Sequence, residues 1–351
     1  MWMSQNYLDI VYLDCLKKFG GERSSSAVFH LLKGKKSSQT IQDSKLFHLS
    51  NLFGMYPVLK RKEFDAAVEN LIESGQLIYS ENDALILTKK AETLLETVLK
   101  NKPIPKSLNG SIFSSSGFLF WKRLMLLTQV LSHSKAGSTK YLPVTKDEKV
   151  QRWVKQFLKR SSLNNMELSD ALYHEMLSHL QRFSDREAAI WVYQLTSNQR
   201  IGLTYDQLGE KFKEDAEYIK LLFWNLIHRV LEECSQKKHQ YPILNSVIQD
   251  LSKVHPLTES TSKTLQLIQL GKSIEDIARI RYLKLSTIED HVVEISLNDT
   301  AFDFSMFLAD DCLQVIAKKI EELNTHQLRI VKEALNDRYS YFQIRLAFTR
   351  L

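Results

Sequence analysis

The chain has 351 residues, of which 44% are hydrophobic and 25% charged, and its formal net charge is +6. These values are typical of a folded protein with about two or three domains, and the low glycine and proline content favours helix. No apolar run reaches the roughly 18 residues that a membrane span requires, and the N-terminus does not resemble a signal sequence, so a cytoplasmic location is expected. The three cysteines lie far apart, which excludes a disulfide framework and a cysteine-rich zinc site.

Three helices and a β-hairpin are predicted over the first hundred residues. Apolar residues recur at helical spacing in YLDIVYLDCLKKF, SSAVFHLLK and KEFDAAVENLIE, and glycine follows each stretch closely. The polar stretch KKSSQT after the second helix is interpreted as a loop. Two short apolar runs in QLIYSENDALILT predict a hairpin with its turn between Ser80 and Asp83. Helices followed by a hairpin are typical of a winged helix.

This order of motifs resembles the winged-helix domain that follows the motor in RecQ-type DNA helicases, over roughly the first 97 residues. In that family the loop after the second helix contacts DNA phosphate. The resemblance therefore implies phosphate contacts from the corresponding loop residues here, which are Gly34, Lys35, Lys36, Ser37 and Ser38. Small residues and lysines suit this role because they present amide, hydroxyl and ammonium donors together. A solvated lysine pair in a loop is the alternative.

A linker and then a basic stretch are predicted next. Residues 101–117 are rich in proline, serine, glycine and asparagine, which is typical of an interdomain linker. Residues 106–160 carry 11 basic and 2 acidic side chains. Within them, KDEKVQRWVKQFLKRSS predicts an amphipathic helix whose outer face is basic. The predicted phosphate-binding residues of this stretch are Lys122, Arg123, Lys135, Lys140, Lys146, Lys149, Arg152, Lys155, Lys159 and Arg160. A solvated helix face is the alternative.

The middle of the chain resembles the promoter-reading helix-turn-helix of sigma factors. The residues that carry this resemblance are SDREAAIWVY, LTYDQLGEKF and AEYIKLLFWNLIHRVL, which predict three successive helices. The last of these begins beside Glu214, Asp215 and Glu217, and such acids face DNA phosphates poorly. A structural or protein-binding role is therefore favoured for this motif.

The C-terminal part contains the letters GKS at residues 271–273, which are also found in phosphate-binding loops. Such a loop needs a further glycine five residues earlier, and Gln266 occupies that position. We expect instead that Gly271 ends one helix, that Ser273 caps the next and that Ser286 caps a third. Short helices joined by tight turns are the helix-turn-helix pattern.

The stretch STSKTLQLIQLGKSIEDIARIRYLKLSTIEDHVVEI resembles the helix-turn-helix module at the C-termini of some RecQ and related helicases. The match continues to YFQIRLAF, and the basic residues that flank the reading helix are Arg279, Arg281 and Lys284. The reading helix itself carries Glu289, Asp290, His291 and Glu294, which make groove binding costly. The resemblance thus implies DNA, whereas the local charge favours a protein partner.

The predicted protein is mainly α-helical, with an N-terminal winged helix at residues 1–100, a linker at 101–117 and helical helix-turn-helix domains at 118–255 and 257–351. Its whole length resembles RecQ-helicase accessory proteins of Gram-positive bacteria. That resemblance implies a non-catalytic subunit that binds duplex or junction DNA for a separate short RecQ-type helicase, in DNA repair and recombination at the nucleoid. A transcription regulator with several helix-turn-helix units is the alternative. No catalytic residue, metal site or cofactor is predicted, because the histidines are scattered among helical faces.

Overall fold

A computed structural model describes residues 6–80, 83–251 and 257–351, which form 18 helices and one two-stranded sheet. The predicted class is confirmed: the chain is mainly helical, with a hairpin near its N-terminus. Two compact units are present, one of residues 1–11 and 94–254 and the other of residues 12–93 and 255–351. Among the residues that the structure describes, no helix combines the length and apolar character needed to span a membrane.

The N-terminal region contains five helices and the hairpin. Their bounds are α1 Tyr7–Phe19, α2 Ser25–Lys33, α3 Ser38–Leu46, α4 Arg61–Glu73, β1 Leu77–Tyr79, β2 Leu85–Leu87 and α5 Lys89–Asn101. The strands are antiparallel, with Tyr79 opposite Leu85, and Tyr79 is 61% exposed. Glu81 and Asn82 of the predicted turn lie outside the described residues.

Helix α3 replaces most of the polar loop that the sequence predicted after α2. Its buried positions are Thr40, Gln42, Asp43 and Ser44, so no apolar periodicity marks it. Their polar groups are instead used in pairs, as in the bond from Arg23 Nε to Asp43 Oδ1 at 2.9 Å. The helix exists because distant residues satisfy this polar face.

The helix-turn-helix region belongs to the same compact unit as residues 12–93. Its helices are α13 Glu259–Gln269, α14 Ile274–Arg281, α15 Leu285–Asn298, α16 Asp310–Leu323, α17 Leu328–Ala334 and α18 Tyr341–Phe348. Helix α15 is central and packs against α3, α13, α14 and α18. Side chains of the N-terminal region reach this part directly: Lys45 Nζ donates to the Leu297 carbonyl at 2.5 Å, and Glu22 accepts from the His326 amide at 2.8 Å.

The other unit is built around two long helices. Its helices are α6 Gly110–Lys135, α7 Glu148–Arg160, α8 Asn165–Leu180, α9 Asp185–Tyr193, α10 Tyr205–Phe212, α11 Ala216–Gln236 and α12 Pro242–Ile248. The ring of Trp121 on α6 contacts those of Trp191 and Phe223 at centroid distances of 5.7 and 4.7 Å. This aromatic cluster joins α6, α9 and α11.

Part of the predicted linker is helical. Residues 110–117 form the first two turns of α6, although glycine and serine are weak helix formers. The segment before them is fixed to α11, because the amides of Ser107 and Asn109 donate to Asn225 Oδ1 at 2.9 Å and to His228 Nδ1 at 3.0 Å. Tertiary contacts therefore override the local composition at residues 107–117.

Candidate nucleic-acid interface

Helix α7 carries an exposed basic face, as the sequence predicted. Val150 and Val154 are buried, and Asp147 caps the helix by accepting from the amide of Lys149 at 3.1 Å. The outward side chains are all exposed and form no ion pair with a carboxylate in the described ranges; they are Lys149, Arg152, Lys155, Lys159 and Arg160. Five unneutralised cations along one short helix suit a phosphate backbone.

Arg123, by contrast, is not available to DNA. It is 5% exposed and donates to both carboxylate oxygens of Asp250, at 2.6 and 2.8 Å, and to the Val247 carbonyl at 3.0 Å. Its guanidinium also lies 4.2 Å from the centre of the Trp153 ring. Hydrogen bonds from Arg123 lower the pKa of Asp250. Arg123 therefore ties α6 to the end of α12, whereas its neighbour Lys122 is exposed and pairs with Asp147 at 3.3 Å.

The predicted phosphate loop after α2 is the start of helix α3. Lys35 and Lys36 are exposed, and Ser37 is the N-cap, whose Oγ accepts from the amide of Thr40. Gly34 has φ of 72°, and a Cβ there would lie 2.7 Å from the Cα of Gly54, so a side chain at this position is excluded. Two lysines before a helix N-terminus retain the chemistry of an anion site.

The GKS letters form the predicted turn of a helix-turn-helix. Gly271 has φ of 74° and follows α13, while Ser273 caps α14 by accepting from the amide of Asp276 at 3.1 Å. Lys272 is exposed. The predicted cap at Ser286 is displaced, because α15 begins at Leu285 and Lys284 is its N-cap, without a side-chain hydrogen bond.

The three basic residues beside the reading helix differ in their availability. Arg281 is held by α13, since it donates to the carbonyl and hydroxyl oxygens of Ser260 at 2.7 and 2.9 Å, and burial lowers its pKa. Arg279 is exposed but pairs with Asp276 at 2.5 Å. Lys284 is exposed and has no carboxylate partner in the described part of the chain. Only Lys284 of the three is free for a ligand.

The acids of α15 do not form an exposed acidic face. Glu294 is 3% exposed and accepts from the Thr258 amide and the Thr261 hydroxyl, both at 2.6 Å. Asp290 pairs with Arg345 at 2.6 Å. Glu289 is half-buried, and burial raises its pKa.

The histidine of this helix is also used internally. His291 is buried and shares a 2.8 Å hydrogen bond with Thr264, and burial lowers its pKa. With the acids and the imidazole engaged inside the unit, the predicted electrostatic cost of groove binding is largely removed.

The structure also brings together a cysteine and a histidine that the sequence analysis did not connect. Cys234 Sγ lies 3.7 Å from Nε2 of His179, whose Nδ1 lies 3.2 Å from Glu233. Burial raises the pKa of the Cys234 thiol to about 12 and lowers the pKa of His179 to about 4. A nucleophilic pair needs a thiolate beside an imidazolium, and this environment disfavours both forms. The cluster therefore serves packing between α8 and α11.

Taken together, the fold and these surfaces define a helical protein with a helix-turn-helix domain. A family described as a helix-turn-helix domain matches residues 260–348. The chain is also 42% identical to Protein YpbB of Bacillus subtilis (strain 168) over 353 aligned positions, which cover 99% of this chain and 98% of the relative. The chain thus belongs to the YpbB family. No solved structure gives a significant match.

Proposed function

We propose that the chain is a non-catalytic DNA-binding subunit that partners a separate short RecQ-type helicase in DNA repair and recombination. The helix-turn-helix domain carries the DNA part of this proposal. In such domains the N-terminal residues of the second helix of the motif contact base edges. Here that end presents Tyr282, Lys284 and Ser286 to solvent, while Glu294 and Asp290 of the same helix are engaged internally.

Two further surfaces supply phosphate affinity that does not depend on sequence. The basic face of α7 offers five unpaired cations, and the start of α3 offers Lys35 and Lys36 beside a helix N-terminus. Phosphate contacts of this kind fix a protein on DNA without reading bases. The proposed substrate is therefore duplex or junction DNA, bound through many phosphates.

The helicase partner is supported by the resemblance of the first 97 or so residues to the winged helix of RecQ-type enzymes. A winged helix on a separate chain works with a motor only if another surface docks the two, because docking raises the effective concentration. We place this docking surface outside the winged helix, in the middle or C-terminal region. Complementary charge would speed and orient the encounter.

DNA binding is tested by fluorescence anisotropy with a labelled duplex and a labelled fork over a range of salt concentrations. Lys284→Glu should weaken binding about tenfold, since it replaces an attraction to phosphate by a repulsion. Lys318→Glu is the matched control, because Lys318 is equally exposed but lies on α16. Equal affinities of the two variants would contradict the assignment of the interface.

The partner is tested separately with a purified short RecQ-type helicase. We expect co-elution of the two chains and a change in DNA-dependent ATPase activity when this chain is added. Lack of any complex would leave DNA binding intact and remove the accessory role. Selection of a single duplex sequence over forks would instead favour the transcription regulator.

A further inference from the structure

The segment between α6 and α7 holds an apolar side chain in solvent on a fixed backbone. Leu142 is 89% exposed, and Pro143 and Val144 beside it are also exposed. Gln129 of α6, which is 4% exposed, donates from Nε2 to the Leu142 carbonyl at 2.9 Å and accepts from the Val144 amide through Oε1 at 2.8 Å. A buried amide thus pairs with the backbone on both sides of Pro143.

A second contact fixes the same segment. The ring of Tyr141 stacks on that of His133, with centroids 4.2 Å apart and an interplanar angle of 19°. Ordering a surface segment costs conformational entropy, and a segment ordered in advance binds a partner at lower cost. The loop therefore has the properties of a preorganised apolar projection.

An apolar cavity of about 570 Å³ lies in the same unit, between α6, α8 and the segment after α9. Its apolar lining includes Leu131, Leu172, Met176, Leu177, Val192 and Leu195. Tyr173 also lines it and is 59% exposed. The cavity has the size and character of a site for apolar groups. Because Leu142 is 89% exposed, it does not fill the cavity of its own chain.

The projection and the cavity lie on adjacent faces of one helix. Thr128 and Ser132 line the cavity, whereas Gln129 and His133 hold the loop. Each residue of an α-helix is rotated about 100° from the one before it, so the two pairs point to neighbouring sides of α6. A two-fold axis beside α6 would place the loop of each copy over the cavity of the other. Such an arrangement is closed and self-complementary.

The charges around the two surfaces are complementary. Lys140 and Lys146 flank the loop and form no ion pair with a carboxylate in the described ranges. Helix α8, whose Ser169 and Tyr173 line the cavity, carries the exposed acids Glu167 and Asp170 in its first turns. The lysines of one copy would therefore meet the acids of its partner.

We propose that Leu142 of one copy enters the apolar cavity of a second copy, and that this reciprocal exchange forms a two-fold dimer. The surfaces involved are small compared with the roughly 1,600 Å² of a standard interface. The dimer is therefore weak, and it forms only as the concentration of the chain rises. This inference is independent of DNA binding and of the helicase partner.

Sedimentation equilibrium of the full chain tests the dimer. We expect the average mass to rise from one chain towards two between low micromolar and near-millimolar concentration, and Leu142→Asp to raise the dissociation constant about tenfold or more. Val58→Asp is the matched control, since Val58 is 81% exposed but belongs to the other unit. A single-chain mass at every concentration, or an unchanged dimer in Leu142→Asp, would overturn the proposal.

Disulfide trapping tests the geometry. Cys15 and Cys234 are buried, so a Cys312→Ser background leaves no accessible natural thiol in the described part of the chain. A chain with Leu142→Cys is mixed with one carrying Tyr173→Cys and oxidised. Cross-linked dimer that forms in the mixture and not in either variant alone supports the exchange. Equal cross-linking in the single variants, or none in the mixture, rejects it.

Discussion

Helices α7 and α15 show that nominal charge and available charge are different quantities. The sequence predicts a basic face on α7, and the structure leaves its five cations exposed and without carboxylate partners in the described ranges. The sequence predicts an acidic face on α15, but Glu294 and Asp290 are spent on Thr258 and Arg345. Counting charges along a helix was thus reliable where one face is free, and unreliable where the helix is central.

The difference follows from how each helix packs. Helix α7 packs mainly on α6, so most of its circumference faces water. Helix α15 contacts four other helices, and a buried carboxylate must be hydrogen-bonded or paired. If this comparison is right, changes to the internal charges should alter stability, and changes to the free charges should alter ligand binding.

The largest effect is expected for Glu294→Ala. This change leaves the Thr258 amide and the Thr261 hydroxyl without their shared acceptor, and the unfolding free energy should fall by about 3 kcal/mol. Urea denaturation measures the loss. Glu259→Ala is the control, because Glu259 is exposed at the start of α13, and it should change stability little. Similar stabilities for the two variants would show that Glu294 is not the structural acid that the comparison requires.

A smaller loss of stability is expected for Arg123→Ala. A fully buried ion pair costs more to break, but the side chain of Asp250 is 54% exposed and regains water, so about 2 kcal/mol is expected. The neighbouring change Lys122→Ala removes only an exposed pair and should leave thermal stability almost unchanged. If Lys122→Ala were the more destabilising, the assignment of Arg123 to the interior would fail.

The free charges of α7 should affect DNA instead. Replacing Lys149, Arg152, Lys155 and Lys159 by alanine should weaken DNA binding about tenfold at physiological salt and reduce the salt dependence by roughly 0.9 for each phosphate lost. Unfolding should be unaffected, since alanine preserves the helix. A matched control removes four exposed lysines elsewhere, namely Lys89, Lys106, Lys238 and Lys318. Equal losses in both variants would mean that only net charge matters.

Sequence periodicity was sufficient for elements whose buried face is apolar. It predicted α1, α2, α4, α7 and the hairpin, and capping rules predicted the Ser273 turn. It failed for α3, whose buried face is polar, and for Arg123, whose partner Asp250 is 127 positions away. Pairings of this kind depend on the tertiary fold, so neither local composition nor charge counts reveal them.

The smallest effect is expected for Lys272, which lies in the GKS turn. A phosphate-binding loop arranges successive amides around an anion, whereas the amides of Gly271 and Lys272 donate to the carbonyls of Ile268 and Leu267 at 2.8 and 3.1 Å. Lys272→Ala should therefore leave stability unchanged, and neither the chain nor this variant should bind ATP in calorimetry.

Gly271→Ala is the informative control for this turn. It places a side chain at φ of 74° with no atom within 4 Å, so it should cost about 1 kcal/mol through backbone strain alone. Micromolar ATP binding that Lys272→Ala abolishes would contradict the interpretation as a turn. A loss of DNA affinity in Lys272→Ala larger than one phosphate contact provides would extend the free charge of α7 to the helix-turn-helix.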